Sequence, residues 1–435
     1  MLNRVVKNTS WIIICKVVQS LLNLVVSMLT ARYLGPSNFG LINYAASIVA
    51  FMVPLMQLGL RSTLVYELIQ RPEEEGKTLG TALLMNVSSA LLCMASIAAF
   101  VTIANREEKT TIIVCILYSI NLIFQALEMC QYWFQKNLLS KYTSLISLAA
   151  YVIVSLYKIY LLVTHKNIYW FAIAQAIDYC LIAVALLIAY KRSGGQKFSI
   201  SFKRGKEMLA KSKYYIISGM MVTIFAQTDR LMIKNMIDDA ATGYYSAAVS
   251  CAGIASFVFA AIIDSMRPVI LESKKQSIQS FELNVSRLFS IVFYMSLIQC
   301  VVMTVLAKPI IWVLYGKDYL SSADTLRLVV WYVTYSYIGQ VRNIWILAES
   351  KQKYLWRINL AGALLNILIN AMVIPVWGII GAALASFITQ FFTNFLVGFF
   401  VKPIKDCNRL MLKGINPKFA FVEIRKLIDK KTSTL

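Results

Sequence analysis

Apolar stretches long enough to cross a bilayer succeed one another from Trp11 to Val401. A membrane-spanning helix needs about 20 predominantly apolar residues. By that measure the pattern predicts twelve spans, near residues 11–33, 39–60, 79–104, 110–135, 142–164, 168–190, 213–237, 243–270, 286–308, 326–347, 355–377 and 378–401. Polar residues interrupt spans 7 and 10 more than the others.

Many spans carry a polar stripe at helical spacing. In span 1, Lys16, Gln19, Ser20, Asn23, Ser27 and Thr30 fall on about a third of the helix circumference. Span 2 aligns Asn43, Ser47, Gln57 and Arg61, with Pro54 as an expected kink. Span 4 offers Asn121, Gln125, Glu128 and Tyr132, and span 5 offers Ser147, Tyr151, Ser155 and Lys158. Span 7 aligns Thr223, Gln227, Arg230 and Lys234 beside Asp229; span 8 carries Asp264 and Arg267; span 10 carries Arg342 and Asn343. Hydrogen bonding between helices accounts for any one Ser or Asn at about 0.6 kcal/mol per contact. Stripes on seven helices, several with ionisable groups, point instead to a wet internal cavity, because a bare charge in the membrane costs at least ~2.5–3.5 kcal/mol.

The net charge of +22 is distributed by membrane side. Most Lys and Arg fall at the N-terminus, in the even-numbered loops and in the tail, which predicts that both termini are cytoplasmic. That asymmetry argues against nucleic acid as a partner. Lys16, Arg61, Lys158, Arg230, Arg267 and Arg342 are the candidate anion-binding cations, since guanidinium groups meet phosphate oxygens through paired donors. Asn23, Asn43, Gln57, Gln125, Gln227, Asn343 and Asn366 are candidates for a polar lining. Asp178, Asp264, Asp229 and Glu128 are candidates for coupling to H⁺ or Na⁺, Asp178 because no cation lies near it in sequence; Asp229 with Arg230 and Asp264 with Arg267 read equally as structural pairs.

The remaining chemistry is sparse. Lys16, Gln19 and Asn23 break the first apolar stretch, so it does not read as a signal peptide. Seven of the eight cysteines fall in spans with no Cys-x-x-Cys pair, which predicts packing rather than disulfides or metal. No metal or organic cofactor is expected. The tail from Pro417 to Lys431 sets Phe421, Ile424, Leu427 and Ile428 against basic residues, reading either as an amphipathic helix on the inner leaflet or as a frayed end.

The second half echoes the first. Gly40-Leu-Ile-Asn-Tyr-Ala-Ala-Ser47 opens span 2 and Gly243-Tyr-Tyr-Ser-Ala-Ala-Val-Ser250 opens span 8; Trp133, Lys141 and Tyr142 recur in spacing as Trp345, Lys353 and Tyr354. The predicted architecture is therefore all-α: twelve transmembrane helices in two six-helix bundles related by a pseudo-two-fold along the membrane normal. It comprises an N-lobe (1–190), a basic cytoplasmic linker (191–212), a C-lobe (213–401) and a basic cytoplasmic tail (402–435). Substrate sites in transporters built this way lie between the repeats.

Two motifs carry a resemblance. Ala31-Arg-Tyr-Leu-Gly-Pro-Ser-Asn-Phe-Gly40, and Phe225-Ala-Gln-Thr-Asp-Arg-Leu-Met232 followed by Gly243-Tyr-Tyr-Ser-Ala-Ala248, resemble the signatures of the polysaccharide-unit flippase family. That family lies within the multidrug/oligosaccharidyl-lipid/polysaccharide exporter superfamily. The resemblance implies two six-helix bundles around a V-shaped cavity. It implies alternating access that moves an undecaprenyl-diphosphate-linked oligosaccharide from the cytoplasmic to the outer leaflet of a bacterial inner membrane. Lys16, Arg61, Arg230 or Arg342 would meet the diphosphate, and Asn, Gln and Tyr groups the sugars. Implied partners are that lipid-linked oligosaccharide, membrane lipids and other polysaccharide-assembly membrane proteins. The lipid II branch typically has two further spans, which favours capsule, O-antigen or exopolysaccharide units here.

Two rivals are open to the sequence. A cation or drug antiporter of the sister branch would want an acidic, aromatic pocket, whereas these stripes are at least as basic as acidic. A membrane polymerase or ligase would be expected to carry a sizeable catalytic outer loop; the odd-numbered loops are short, and the single His165 has no paired carboxylate. No Gly-rich nucleotide loop suggests an ATP-driven machine.

Overall fold

The first helix, α1 (Leu2–Met56), would be about 80 Å long if straight, more than twice the hydrocarbon thickness. It is broken at Gly35, whose φ of 73° and ψ of 171° fall in a region only glycine readily enters, and Pro36 follows directly. Near the other end, α15 (Leu355–Phe391) is broken in the same way at Gly378, three residues after Pro375. Both breaks fall at the divisions expected between spans 1 and 2 and between spans 11 and 12.

The computed structural model describes residues 2–423, and every regular element among them is helical. Between the two broken helices lie α2 (Leu64–Gln70), α3 (Glu75–Ala104), α4 (Lys109–Ser119), α5 (Asn121–Leu127), α6 (Gln131–Lys136), α7 (Ser140–Val163) and α8 (Ile168–Arg192). These are followed by α9 (Phe202–Met236), α10 (Asp239–Ala252), α11 (Ser256–Gln276), α12 (Ile278–Val305), α13 (Ala307–Tyr315) and α14 (Ser322–Ala348). The short α16 (Val397–Phe400) and α17 (Lys405–Ile415) come after α15. Among the described residues eight helical segments are long and apolar enough to cross a membrane, and nine if the bent pair α10–α11 counts as one span. Two of the eight are the double-length segments Ile14–Met56 and Gln352–Phe400. Twelve crossings also require α14, 27 residues long but too polar to pass on hydropathy.

The described chain packs as two compact units divided between Gly243 and Tyr244. In the first, Tyr44, Ile48 and Val49 of α1 pack with Cys93 and Ile97 of α3, Val114 of α4 and Leu122 of α5. A second cluster gathers Leu60, Leu64, Leu79, Trp133, Phe134, Leu186 and Met208. The basic segment expected as a linker is tied down within this unit. The Gly76 amide donates to Gln196 Oε1 at 2.9 Å and the Ser201 amide to Thr81 Oγ1 at 3.0 Å. Arg204 is buried, 3.6 Å from Glu74 and 3.4 Å from Glu207. Since α9 continues directly from this anchored stretch, its whole length is described with the first unit.

In the second unit Phe259, Phe281, Leu288, Phe289, Tyr337 and Trp345 form the core with Leu410 and Met411 of α17. That helix is amphipathic and lays Cys407, Leu410, Met411 and Gly414 inward; the Tyr294 hydroxyl donates to the Ile415 carbonyl at 2.8 Å. Of the apolar positions expected on the tail helix, Phe421 is exposed, while Ile424, Leu427 and Ile428 lie outside the described residues. All eight cysteines are free thiols, seven of them buried, as packing residues should be.

Candidate functional site

Four helical stretches of the first unit line an open cavity of about 330 Å³. The arm of α1 after Gly35 supplies Ala46, Val49, Ala50 and Val53, which lie on one face by their spacing. Two of the four are alanines, so this wall is shallow. Facing it, the α4–α5 bend presents Asn121 and Gln125, α8 presents Gln175 and Tyr179 one turn apart, and α9 presents Thr223 and Gln227. No ionisable carboxylate, ammonium or guanidinium group is among the described residues lining this cavity.

Hydrogen bonding fixes which ends of the amides are available. Gln125 donates from Nε2 to the Tyr179 hydroxyl at 3.4 Å, so its Oε1 remains an acceptor. Arg230 Nη1 donates to Gln227 Oε1 at 3.1 Å, which leaves the Gln227 amide protons as donors. Asn121 is 3% exposed, and its Oδ1 is buried without a hydrogen-bond partner. Thr223 spends its hydroxyl on the Gly219 carbonyl of its own helix at 3.1 Å. Burying an unpaired carbonyl costs about 1–3 kcal/mol, a cost that a donor reaching Asn121 Oδ1 would relieve.

A charged group lies beside this cavity. Asp178 is 7% exposed with Oδ1 unpartnered, and it interacts electrostatically with Lys158 of α7 and with Glu128, which directly follows α5. Glu128 in turn senses Arg61. Tyr179, which lines the cavity, feels both carboxylates. Asp178, expected to lack a nearby cation, therefore has one in Lys158. The pairing was hidden because the two residues are brought together by the packing of α7 on α8.

Residues 5–274 match the model of the polysaccharide biosynthesis protein family, a span that includes the whole first unit beyond its first four residues. The chain belongs to the polysaccharide biosynthesis protein family. It is 21% identical over 408 residues to the capsular polysaccharide biosynthesis protein CapF of Staphylococcus aureus, an alignment covering 92% of this chain and 100% of that protein. Among solved structures, the lipid II flippase MurJ in an inward closed conformation matches with a TM-score of 0.72 at 18% identity, over 94% of this chain and 91% of that one. An inward-facing multidrug resistance MATE family transporter of the MOP superfamily matches with a TM-score of 0.67 at 12% identity, over 90% and 95%. At those identities the likeness is one of fold: this polysaccharide biosynthesis protein shares the multi-pass fold of that flippase and that transporter.

In this family member the other expected site residues fall into three groups. Some serve their own helices or neighbours: Asn43 donates to the Phe39 carbonyl at 2.8 Å, and Asn23 accepts from the Tyr151 hydroxyl at 2.8 Å. Such local bonds let a polar stripe sit in a membrane helix with no ligand present. Lys16 and Arg61 are exposed and Gln57 is half-buried, and none of the three lines the cavity. Lys16, Arg61, Lys158 and Arg230, expected to line a cavity between the repeats, are not among the residues lining this cavity within the first unit, whose walls are uncharged. Asp229 is buried and engaged, while Lys234, also expected in the stripe, is drawn away by Glu108 at 2.7 Å and Asp239 at 3.0 Å.

In the second unit Asp264 and Arg267 form an exposed ion pair at 3.0 Å along one face of α11, the structural-pair alternative. Arg342, expected to face an open cavity, is instead 3% exposed and donates to the Thr393 carbonyl; its neighbour Asn343 takes the exposed position. Asn366 is also corrected from lining to packing: its amide donates to Ser386 Oγ across the break in α15 at 3.4 Å and it accepts from Asn370 at 3.1 Å. Sequence reasoning missed Gln175 and Tyr179, although an i, i+4 polar pair in an apolar span was the available signal.

Proposed function

We propose that this protein flips an undecaprenyl-diphosphate-linked oligosaccharide repeat unit from the cytoplasmic to the outer leaflet of a bacterial inner membrane, by alternating access and with ion coupling. The observation that carries the reading is the amide-lined cavity of about 330 Å³ set among membrane-spanning helices, in a chain of the polysaccharide biosynthesis family. A passive anchor has no use for buried polar groups, and a cation exporter would want carboxylates at the wall, where the described lining offers only uncharged groups. Deleting the gene is expected to make lipid-linked oligosaccharide accumulate on the inner leaflet, measured by its protection from added periplasmic glycosidase. Unchanged leaflet distribution would reject flipping.

Asp178 is the proposed coupling carboxylate. An acid with an unpartnered oxygen, next to a Lys and a second carboxylate, changes its interactions whenever a proton or cation arrives. Asp178→Asn is expected to abolish the dependence of transport on an imposed proton or sodium gradient in proteoliposomes; a variant that responds to both gradients like the parent rejects this role. Both termini are proposed to be cytoplasmic. Cysteine at the exposed Ser193 should then react with a membrane-impermeant maleimide only after the cytoplasmic face is opened, and labelling of intact spheroplasts would reverse the topology.

A further inference from the structure

We infer that the cavity of the first unit is the subsite for one uncharged sugar ring of the cargo, and that the diphosphate binds outside it. The inference rests on the flippase reading and says which part of the cargo this cavity takes.

The argument is a matching of donors and acceptors. Asn121 Oδ1 is buried and unpartnered, and Gln125 Oε1 is the free end of an amide whose nitrogen is already engaged. Both are acceptors in want of a donor. Across from them the Gln227 amide nitrogen and the Tyr179 hydroxyl proton remain to be given. A sugar hydroxyl is donor and acceptor at once and can answer both sets. A phosphate or a uronate carboxylate offers only acceptors at neutral pH, so it would face Asn121 Oδ1 and Gln125 Oε1 oxygen to oxygen. It would also surrender its hydration with no guanidinium or ammonium at the wall to replace it.

Size and shape agree. At about 330 Å³ the cavity stands at the small end of ligand clefts, which run from ~300 to ~1,000 Å³. That is room for a single ring, and because the cavity is open the rest of a repeat unit would extend beyond it. The Ala46–Ala50 wall offers a shallow apolar surface for the C–H face of a pyranose. Nearby cations such as Arg230 act on this subsite indirectly, by orienting Gln227.

The test uses full-length protein in nanodiscs and native mass spectrometry with two probes. One is the lipid-linked repeat unit extracted from the producing bacterium; the other is undecaprenyl diphosphate without sugar. Wild type is expected to prefer the sugar-bearing lipid. Asn121→Leu should weaken that lipid about tenfold, the equivalent of one lost hydrogen bond of ~1.4 kcal/mol, and leave undecaprenyl diphosphate unchanged. Gln125→Leu, at a less buried position, should do the same and covers the case in which Asn121→Leu does not fold. Equal weakening of both lipids would mean that the cavity holds the diphosphate, and no change in either would mean that it holds no cargo; each overturns the inference while leaving the flippase reading intact. Failure of wild type to bind either lipid sinks the flippase reading itself, and this inference with it.

Discussion

Replacing Gly40 with Val is expected to eliminate the polysaccharide export proposed above and to lower the amount of folded protein in the membrane. Gly40 lies one turn into the second arm of α1, and Gly243 lies in the first turn of α10. A Cβ added to Gly40 would collide with the Asp239 carbonyl, and a Cβ added to Gly243 would collide with the Pro36 carbonyl. Each glycine thus meets the carbonyl four residues before the other, a reciprocal close approach of backbone within the first unit. Because the obstacles are backbone atoms, no rotamer change relieves them. The expected loss exceeds the ~1–3 kcal/mol typical of overpacking, and Gly243→Val should behave alike. Gly35 offers the contrast. It needs its positive φ, but a Cβ there would meet nothing within 4 Å, so Gly35→Ala carries only backbone strain of ~1–3 kcal/mol. Immunoblotting of membranes with an assay of surface polysaccharide separates the cases: wild-type abundance and export in Gly40→Val would refute the close approach.

Much of the fold was legible because hydrophobic thickness imposes itself on every crossing. The break at Gly35 was visible as an interruption between apolar runs, with Pro36 beside it; at Gly378 the apolar run is continuous, and its double length and Pro375 marked the division. The polar stripes were visible too, yet their meaning depended on a rotation that sequence does not specify. Adjacent helical positions differ by about 100°, and that step separates buried Arg342 from exposed Asn343. Span 7 shows the same limit: Gln227 reaches the cavity, while Lys234, two turns on, reaches another helix. Asp178 and Lys158 were each conspicuous, but their meeting depends on how α7 lies on α8. Tyr179 was overlooked because span 6 shows only the short Gln175–Tyr179 pair rather than a stripe, and its link to Gln125 depends on how α8 lies on α5.

Lys234→Met is expected to destabilise the first unit by about 2 kcal/mol and to flatten its response to acid. Lys234, 5% exposed, joins three elements: it reaches Glu108 just before α4 at 2.7 Å and Asp239 at the start of α10 at 3.0 Å, from the last turn of α9. Breaking a fully buried pair costs ~3–5 kcal/mol; Glu108 is nearly half exposed and regains water, which brings the figure down. Methionine retains the packing of the aliphatic stem, so the loss reports the charge. Burial works against ionised Glu108, but the hydrogen bonds from Lys234 and Thr111, with the Lys234 charge, outweigh it and hold the carboxyl below its ordinary value. A depressed carboxylate contributes stability that is complete above its unfolded value of ~4.3 and is lost as pH falls through the lower folded value. The thermal midpoint of wild type should therefore fall on acidification below about pH 4, and the gap between wild type and Lys234→Met should narrow over that window. Glu108→Gln, which leaves Lys234 its bond to Asp239, should fall between the two at neutral pH. Thermal unfolding in detergent from pH 7 to pH 3.5 reads all three proteins, and a gap that stays constant across the range would show that Glu108 is not the partner through which Lys234 holds these helices together.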